Sequence, residues 1–278
     1  MQNAESSITP QVKQWIIASA HAGQPTDALL REMVAKGWPE PTAAAAIQSV
    51  LSSEPAPPER TAVPDLGLDQ APSTIATGDR VVRILSKMRN PTIVSLGGLL
   101  SDTECDELIR LARPRLTAST TIDNATGGQM KHHARTSEGM FFMRGEYPLI
   151  TRIERRIAKL TNWPLENGEG LQVLHYGPGT QYEPHYDYFI PDASGTPLLL
   201  QRGGQRIASL IMYLNTPERG GGTVFPDVEF EVIPQRGNAV YFSYARAHPS
   251  SGTLHGGAPV IAGEKWIATK WLRERPHV

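Results

Sequence analysis

The sequence predicts a mainly β protein of the α+β class: a double-sheet jelly roll of the cupin type with supporting helices, preceded by a small helical bundle. Three observations predict this fold. Residues 8–52 show helical periodicity, and the chain from about residue 80 consists of short β-type runs separated by glycine and proline. The helices expected in that second part precede most of its strands, so the pattern lacks βαβ alternation and favours antiparallel sheets.

The N-terminal residues 1–52 are predicted to form a three-helix bundle. Apolar residues recur at helical spacing in three stretches, Thr26-Asp27 and Pro39–Thr42 are typical helix starts, and Gly37 is a typical helix stop. The segment Leu29–Trp38 resembles the first helix and loop of ubiquitin-associated three-helix modules. Both a helical cap on the following domain and a module that binds a protein partner stay open.

Residues 53–79 are predicted to be a partly extended linker, because they are rich in proline and poor in apolar residues. Residues 80–278 then form the main domain. Helices are expected at 101–113 and 147–161. The clearest strands are Ile93–Leu96, Leu171–Tyr176, Ile207–Leu214, Ala239–Phe242 and Trp266–Leu272.

Composition argues against several classes of function. The formal net charge of the 278 residues is −1, and no basic patch stands out that would neutralise nucleic-acid phosphates. We find neither a cationic amphipathic stretch nor an apolar run of roughly 20 residues, so no membrane association is expected. The single cysteine, Cys105, permits no intrachain disulfide and is expected to be a small buried hydrophobic residue. No signal peptide is evident, which predicts a cytoplasmic protein.

A candidate metal site is formed by His185, Asp187 and His255. Two imidazoles and one carboxylate on one face of an octahedron leave three positions open, as in non-haem iron(II) oxygenases. Residues two apart in a strand point to the same side, so His185 and Asp187 can reach one ion. His255 must then come from a later strand that lies beside the first.

Lys265, at the start of an apolar strand, is suited to bind the far carboxylate of a dicarboxylate that chelates the metal. The hydroxyls of Tyr176 and Thr223 are placed to share this carboxylate. A lysine at a strand end also commonly extends to water, and this interpretation stays open here.

Several segments together resemble the prolyl 4-hydroxylase branch of the 2-oxoglutarate oxygenases. They appear in that family's order and cover roughly residues 90–274, whereas residues 1–80 fall outside the resemblance. These segments are 135–142, 166–176, 181–189, 206–215, 221–226 and 255–271.

The resemblance implies a double-stranded β-helix that binds Fe(II) through His185, Asp187 and His255. It further implies that Lys265 anchors 2-oxoglutarate, with help from Tyr176 and Thr223. Positions that line the peptide groove in such enzymes correspond to three further residues, Tyr182, Arg206 and Trp271, for which core or surface roles stay open.

The implied reaction is hydroxylation of a C–H bond, by resemblance C4 of a prolyl residue in a protein or peptide. It consumes O2 and 2-oxoglutarate and releases succinate and CO2, with L-ascorbate restoring oxidised iron. Residues 188–204 are where such enzymes vary and are expected to cover the groove. A second metal at His132 and His133 is not expected, and His175 is expected to be packed or hydrogen-bonded rather than a metal ligand.

Two other functional classes stay open at this point. The same three ligands would suit a zinc hydrolase, although this leaves Lys265 and Tyr176 without a purpose. Alternatively, the chain acts chiefly as an adaptor that binds a protein through its N-terminal helices.

Overall fold

The computed structural model describes residues 8, 10–21, 24–53, 59–118, 121–122, 129–130, 137–191 and 193–277. Its α-helices are α1 (Pro10–His21), α2 (Thr26–Ala35), α3 (Glu40–Ser53), α4 (Asp102–Ala112), α5 (Pro148–Thr161) and α6 (Thr196–Gln201). No helix among these described residues is long and apolar enough to cross a membrane.

The described strands run from residue 74 to residue 273. They are β1 (Thr74–Ala76), β2 (Val81–Met88), β3 (Thr92–Gly97), β4 (Thr117–Ala118), β5 (Thr121–Ile122), β6 (Gln129–Met130), β7 (Glu138–Phe142), β8 (Leu171–Tyr176), β9 (Tyr182–His185), β10 (Arg206–Tyr213), β11 (Arg219–Gly220), β12 (Thr223–Phe225), β13 (Phe230–Val232), β14 (Ala239–Ser243), β15 (His255–Gly257), β16 (Val260–Ala262) and β17 (Lys265–Arg273).

The three N-terminal helices pack around their own apolar cluster. Ile16, Leu29, Met33 and Ile47 are buried in it, and they belong to the periodic positions that predict the helices. The helix α2 ends at Ala35, and the positive φ of 90° at Gly37 continues the turn away from the helix axis. Helix α1 also contacts the short turn Pro249–Ser251 of the main domain.

The described part of the segment predicted as a linker packs closely on the main domain. Leu66 and Leu68 are buried in its core, and the Tyr241 hydroxyl donates a hydrogen bond to the Pro64 carbonyl at 2.9 Å. Strand β1, which lies before residue 79, pairs with β2 of the large sheet. The division at residue 79 stays a prediction based on composition, and packing against the sheet begins upstream of it.

The two helices predicted in the main domain are confirmed as α4 and α5. A capping box begins α4, in which the Ser101 hydroxyl accepts from the Glu104 backbone N–H and the Glu104 carboxylate accepts from the Ser101 backbone N–H. Pro148 occupies the first turn of α5, where its missing N–H is tolerated. The apolar faces of both helices cover one face of the large sheet. Cys105 is buried there, as predicted.

Two antiparallel sheets pack face to face in the main domain. Across the described residues, the large sheet has the order β1-β2-β3-β14-β10-β17-β8-β7-β4, and the small sheet has the order β13-β12-β15-β9. A second apolar cluster joins them, with Leu174 and Ile267 from the large sheet and Phe225 and Val232 from the small one. The mainly β, double-sheet jelly roll predicted from the sequence is therefore confirmed, and the space between its sheets holds the candidate site.

Candidate active site

His185, Asp187 and His255 converge in the small sheet. His185 ends β9 and His255 begins β15, and these two residues face each other directly in the antiparallel pair. The Asp187 carboxylate lies 3.6 Å from His185 Nε2 and 3.4 Å from His255 Nε2. One ligand atom from each residue lies within 4.8 Å of the others, which makes this a metal-binding constellation. Asp187 lies two residues after the end of β9 and not within the strand. The bend of the chain at this point, and not only the alternation of side chains along a strand, therefore directs its carboxylate toward the two histidines.

Backbone carbonyls fix the tautomer of both imidazoles. His185 Nδ1 lies 2.9 Å from the Glu183 carbonyl, and His255 Nδ1 lies 3.0 Å from the Thr253 carbonyl. Since a carbonyl only accepts, each Nδ1 carries the proton and donates it. Each Nε2 then turns its lone pair toward Asp187, as a metal ligand requires.

The electrostatic environment also favours the ligand forms of these groups. Burial lowers the pKa of His255 to about 4, although the Asp187 charge opposes the shift, so the imidazole is neutral at pH 7. Burial raises the pKa of Asp187, but His255, His185 and Arg206 outweigh this and hold it far below its ordinary range. A neutral His255 imidazole and an ionised Asp187 carboxylate fit a divalent metal of the Fe(II) type.

The carboxylate of Asp187 is held by residues outside the three ligands. The Ser209 hydroxyl donates to Asp187 Oδ2 at 2.5 Å, and the Tyr244 hydroxyl lies 3.0 Å from Ser209 Oγ. Ser209 and Tyr244 are buried at 0% and 2% exposure. Arg206 donates to the backbone carbonyl of Asp187 at 3.3 Å. These contacts restrict the carboxylate before any metal binds.

Lys265 and Tyr176 face the site from the large sheet. They are directly paired on β17 and β8, and Lys265 Nζ lies 5.4 Å from the centre of the Tyr176 ring. Lys265 is only 2% exposed, and within the described residues its Nζ has no hydrogen-bond or ion-pair partner. Burial lowers the pKa of Lys265 to about 8, opposed by the Glu231 charge. The lysine therefore does not extend to water, and its ammonium is available to a ligand anion.

Thr223 approaches the same space from the small sheet. It pairs with Gly257 on β15, and a Cβ at Gly257 would lie 3.7 Å from Lys265 Nζ. The Tyr213 hydroxyl donates to Thr223 Oγ1 at 2.8 Å, so the threonine hydroxyl retains its own proton for a ligand. Gly221 adopts a φ of +73°, and a Cβ there would approach Lys265 Cδ to 3.1 Å, so glycine suits this turn.

Three residues predicted for the substrate groove lie around the metal-binding constellation. The Tyr182 ring stacks on His185, with the ring centres 3.8 Å apart. The Arg206 guanidinium lies over the Trp271 ring at 3.9 Å. Phe141, at 42% exposure, tilts toward Trp271 from β7. The roles of Tyr182, Arg206 and Trp271 in substrate binding stay predictions.

Arg206 also has a structural partner that the sequence analysis did not identify. Its guanidinium donates to both carboxylate oxygens of Glu169, at 2.6 and 2.9 Å, and Arg273 donates to the same carboxylate at 2.9 Å. Burial raises the pKa of Glu169, but the two arginines outweigh it and lower that pKa to about 2. Arg206 thus joins a buried ion cluster to the backbone of a metal-ligand candidate, and it is only 9% exposed.

The remaining sequence predictions have mixed outcomes. His132 and His133 lie outside the described residues. His175 is 2.9 Å from Glu264 and 3.3 Å from Glu138, so it is hydrogen-bonded away from the site, as expected. The segment 188–204 includes α6 and carries an exposed Leu198. The sequence analysis missed Ser209, Tyr213, Tyr244 and Glu169, since only their three-dimensional contacts distinguish them from ordinary strand and loop residues.

Comparisons with known proteins agree with this geometry. Residues 171–273 match the family described as the 2OG-Fe(II) oxygenase superfamily. Prolyl 4-hydroxylase 5 of Arabidopsis thaliana is 40% identical over 216 residues, which cover 70% of this chain and 72% of the relative. Prolyl 4-hydroxylase 1 of the same organism is 42% identical, with 67% and 70% covered.

A solved structure is similar as well. The viral collagen prolyl hydroxylase of Paramecium bursaria Chlorella virus-1, determined as a complex with 2OG, superposes with a TM-score of 0.52 and 32% identity. The superposition covers 65% of this chain and 95% of the viral one. The family match over residues 171–273 includes the strands that carry the candidate site.

Proposed function

The chain belongs to the prolyl 4-hydroxylase family of the 2OG-Fe(II) oxygenases, and we propose on that premise that it hydroxylates C4 of prolyl residues in a protein or peptide. It is a 2-oxoglutarate-dependent dioxygenase, with Fe(II), 2-oxoglutarate and O2 as the reactants and cofactors that this family implies. The observation that carries the proposal is the convergence of His185, Asp187 and His255 with both Nε2 atoms directed at the carboxylate.

His185, Asp187 and His255 would hold the iron, which would supply the place where O2, the oxidant, is reduced with two electrons from 2-oxoglutarate and two from the C–H bond. The protein's contribution is to position the reactants. The carbonyls of Glu183 and Thr253 keep the imidazoles in the ligand tautomer. Ser209 keeps one Asp187 oxygen occupied by a hydrogen bond, which favours binding through the other oxygen.

Lys265 would bind the far carboxylate of 2-oxoglutarate, supported by Thr223 and Tyr176. Lys265 Nζ is buried without a carboxylate partner among the described residues. The 2-oxoglutarate dianion would therefore bind an ammonium group that no protein carboxylate neutralises, in a poorly solvated space. Charge-assisted hydrogen bonds in such a place are strong. A hydrolase using the same ligands gives this ammonium no role, which favours the oxygenase.

A proline-containing segment would lie across Tyr182, Trp271 and Phe141. Aromatic faces suit the apolar pyrrolidine ring, and the exposed fraction of Phe141 leaves room for it. The printed names of the relatives support proline as the residue modified, in a protein or peptide. We also propose that L-ascorbate acts as the reductant that restores iron oxidised in turnovers without substrate.

The N-terminal bundle is proposed to hold or select a protein substrate. Its separate apolar cluster supports a module with its own fold. Deleting residues 1–58 tests this, because the cut spares Pro64, Leu66 and Leu68, which pack on the main domain. The truncated chain is expected to hydroxylate short peptides normally and protein substrates poorly. Equal loss on both substrates would contradict the proposal.

Mass spectrometry of a proline-rich peptide tests the proposed activity. Incubation with Fe(II), 2-oxoglutarate and air is expected to add one oxygen to proline and to release succinate. His255→Ala should abolish both products, whereas His175→Ala, which removes a histidine outside the metal constellation, should retain them. Unmodified peptides across a proline-containing panel, with no succinate above the peptide-free level, would contradict prolyl hydroxylation.

A further inference from the structure

A second cleft, separate from the metal constellation, has an arginine-rich lining. Its volume is about 420 Å³, within the range of small-molecule sites. Three arginines come to it from different parts of the chain: Arg60 before the first strand, Arg89 between β2 and β3, and Arg246 after β14. The described residues that line it include no aspartate or glutamate, so their side chains add only positive charge.

The guanidinium groups of these three arginines form no ion pairs or hydrogen bonds with other side chains in the described structure. None of them forms an ion pair or a side-chain hydrogen bond with another described residue. Among the described residues, the Nε of Arg246 is buried and lacks a hydrogen-bond partner. A buried donor without an acceptor is unfavourable, and binding a ligand through this guanidinium would not require the loss of a hydrogen bond to another described residue.

The walls of the cleft are held in place by the backbone. The Thr61 N–H donates to the Ala245 carbonyl at 2.8 Å, which fixes the segment carrying Arg60 beside the loop carrying Arg246. Thr61, Ser250 and Ser251 also line the cleft, and their hydroxyls are already hydrogen-bonded to the Ala245 carbonyl, His248 Nδ1 and Thr253 Oγ1. The arginines are therefore the groups that would recognise phosphate, because each guanidinium can donate two parallel hydrogen bonds.

We propose that this cleft binds a small organic phosphate, a compact dianion whose phosphate lies among Arg60, Arg89 and Arg246. The organic part of the ligand would contact Ala62, Val63 and Pro91, which form an apolar part of the lining. The cleft is not part of the oxygenase reaction, although Tyr244 contributes to its wall and also reaches Ser209 beside Asp187.

Phenyl phosphate is a suitable probe, with phenol as the uncharged control. Binding is measured by titration calorimetry on the full chain, kept anaerobic and saturated with Fe(II) and 2-oxoglutarate so that the Lys265 pocket is occupied. Ionic strength is matched with sodium chloride, because exposed charges are screened by salt. Saturable binding of phenyl phosphate, and not of phenol, is the expected result.

Three variants assign the binding to the cleft. Arg246→Met is expected to weaken phenyl phosphate binding at least tenfold. Arg60→Met should also weaken this binding, and because Arg60 is exposed, its replacement should not affect folding. Arg155→Met removes one exposed arginine on α5, outside the cleft, and should leave binding within twofold. Absence of saturable binding, or an equal loss in Arg155→Met and Arg246→Met, would overturn the proposal.

Discussion

Replacing Lys265 by methionine is predicted to stabilise the ligand-free protein while removing 2-oxoglutarate binding. The lysine is 2% exposed and its pKa falls from the ordinary value of 10.5 to about 8, mainly through burial. This difference corresponds to about 3 kcal/mol of unfavourable free energy for the buried ammonium at pH 7. Methionine has a similar length and no charge, so the variant should recover much of that free energy.

The stabilisation should depend on pH with a definite sign. The unfolded chain retains the lysine proton up to a pH near 10.5, whereas the folded, ligand-free chain releases it near 8. Between these values the unfolded state binds more protons, so the stability of the wild-type protein rises with pH. The advantage of Lys265→Met should therefore be about 3 kcal/mol at pH 7, about 2 kcal/mol at pH 9, and only about 0.4 kcal/mol at pH 10.5.

Urea unfolding of the metal-free proteins at these pH values measures the difference. A matched control is Lys270→Met on the same strand, because Lys270 is equally buried but donates to Glu154 at 2.6 Å. That variant leaves a buried carboxylate unpaired and should be less stable than the wild type. A Lys265→Met protein that is less stable than the wild type at pH 7, or whose advantage does not change with pH, would refute the reasoning.

Three further outcomes are expected around the site. Ser209→Ala removes a hydrogen bond to the Asp187 carboxylate and should weaken Fe(II) binding roughly 10–100-fold in an anaerobic metal titration; unchanged affinity would show that the bond does not position the ligand. Thr223→Val should raise the KM for 2-oxoglutarate roughly tenfold with a smaller change in kcat, since it removes one charge-assisted hydrogen bond to the 2-oxoglutarate carboxylate. An unaltered KM would contradict a hydrogen bond from Thr223 to this carboxylate. Arg206→Met breaks a buried ion pair with Glu169 and should lower the free energy of unfolding in urea by about 3 kcal/mol. This is the low end of the range for buried pairs, because Arg273 still pairs with Glu169. A decrease below about 1 kcal/mol would argue against the ion cluster.

Local patterns were sufficient to predict much of the large sheet and the two helices that cover it, but not the short strands β9 and β15 that carry His185 and His255. Alternation and β-branched residues predicted the strands that became β8, β10, β14 and β17, and the helix signals predicted α4 and α5 within two residues of their ends. The imidazole and carboxylate types predicted the site because few chemistries need that donor set. The pairing of His185 with His255 followed from the requirement that both reach one ion.

Contacts between distant segments could not be predicted in the same way. Ser209 lies within β10 and Tyr244 directly follows β14, and only the fold places Ser209 against Asp187 and Tyr244 against Ser209. Glu169 is remote in sequence from Arg206 and Arg273, so local sequence patterns could not predict the ion cluster that these three residues form. The proline content of residues 53–79 suggested a linker, but Leu66 and Leu68 show that a few apolar side chains decide whether such a segment packs.

Isotope labelling tests most directly whether this site performs dioxygenase chemistry. Turnover of a proline-containing peptide under 18O-labelled O2 in ordinary water is predicted to place one labelled atom in the hydroxylated peptide and one in succinate. His255→Ala should produce neither labelled product. Peptide oxygen derived from water, or turnover with zinc in the absence of O2, would contradict the account.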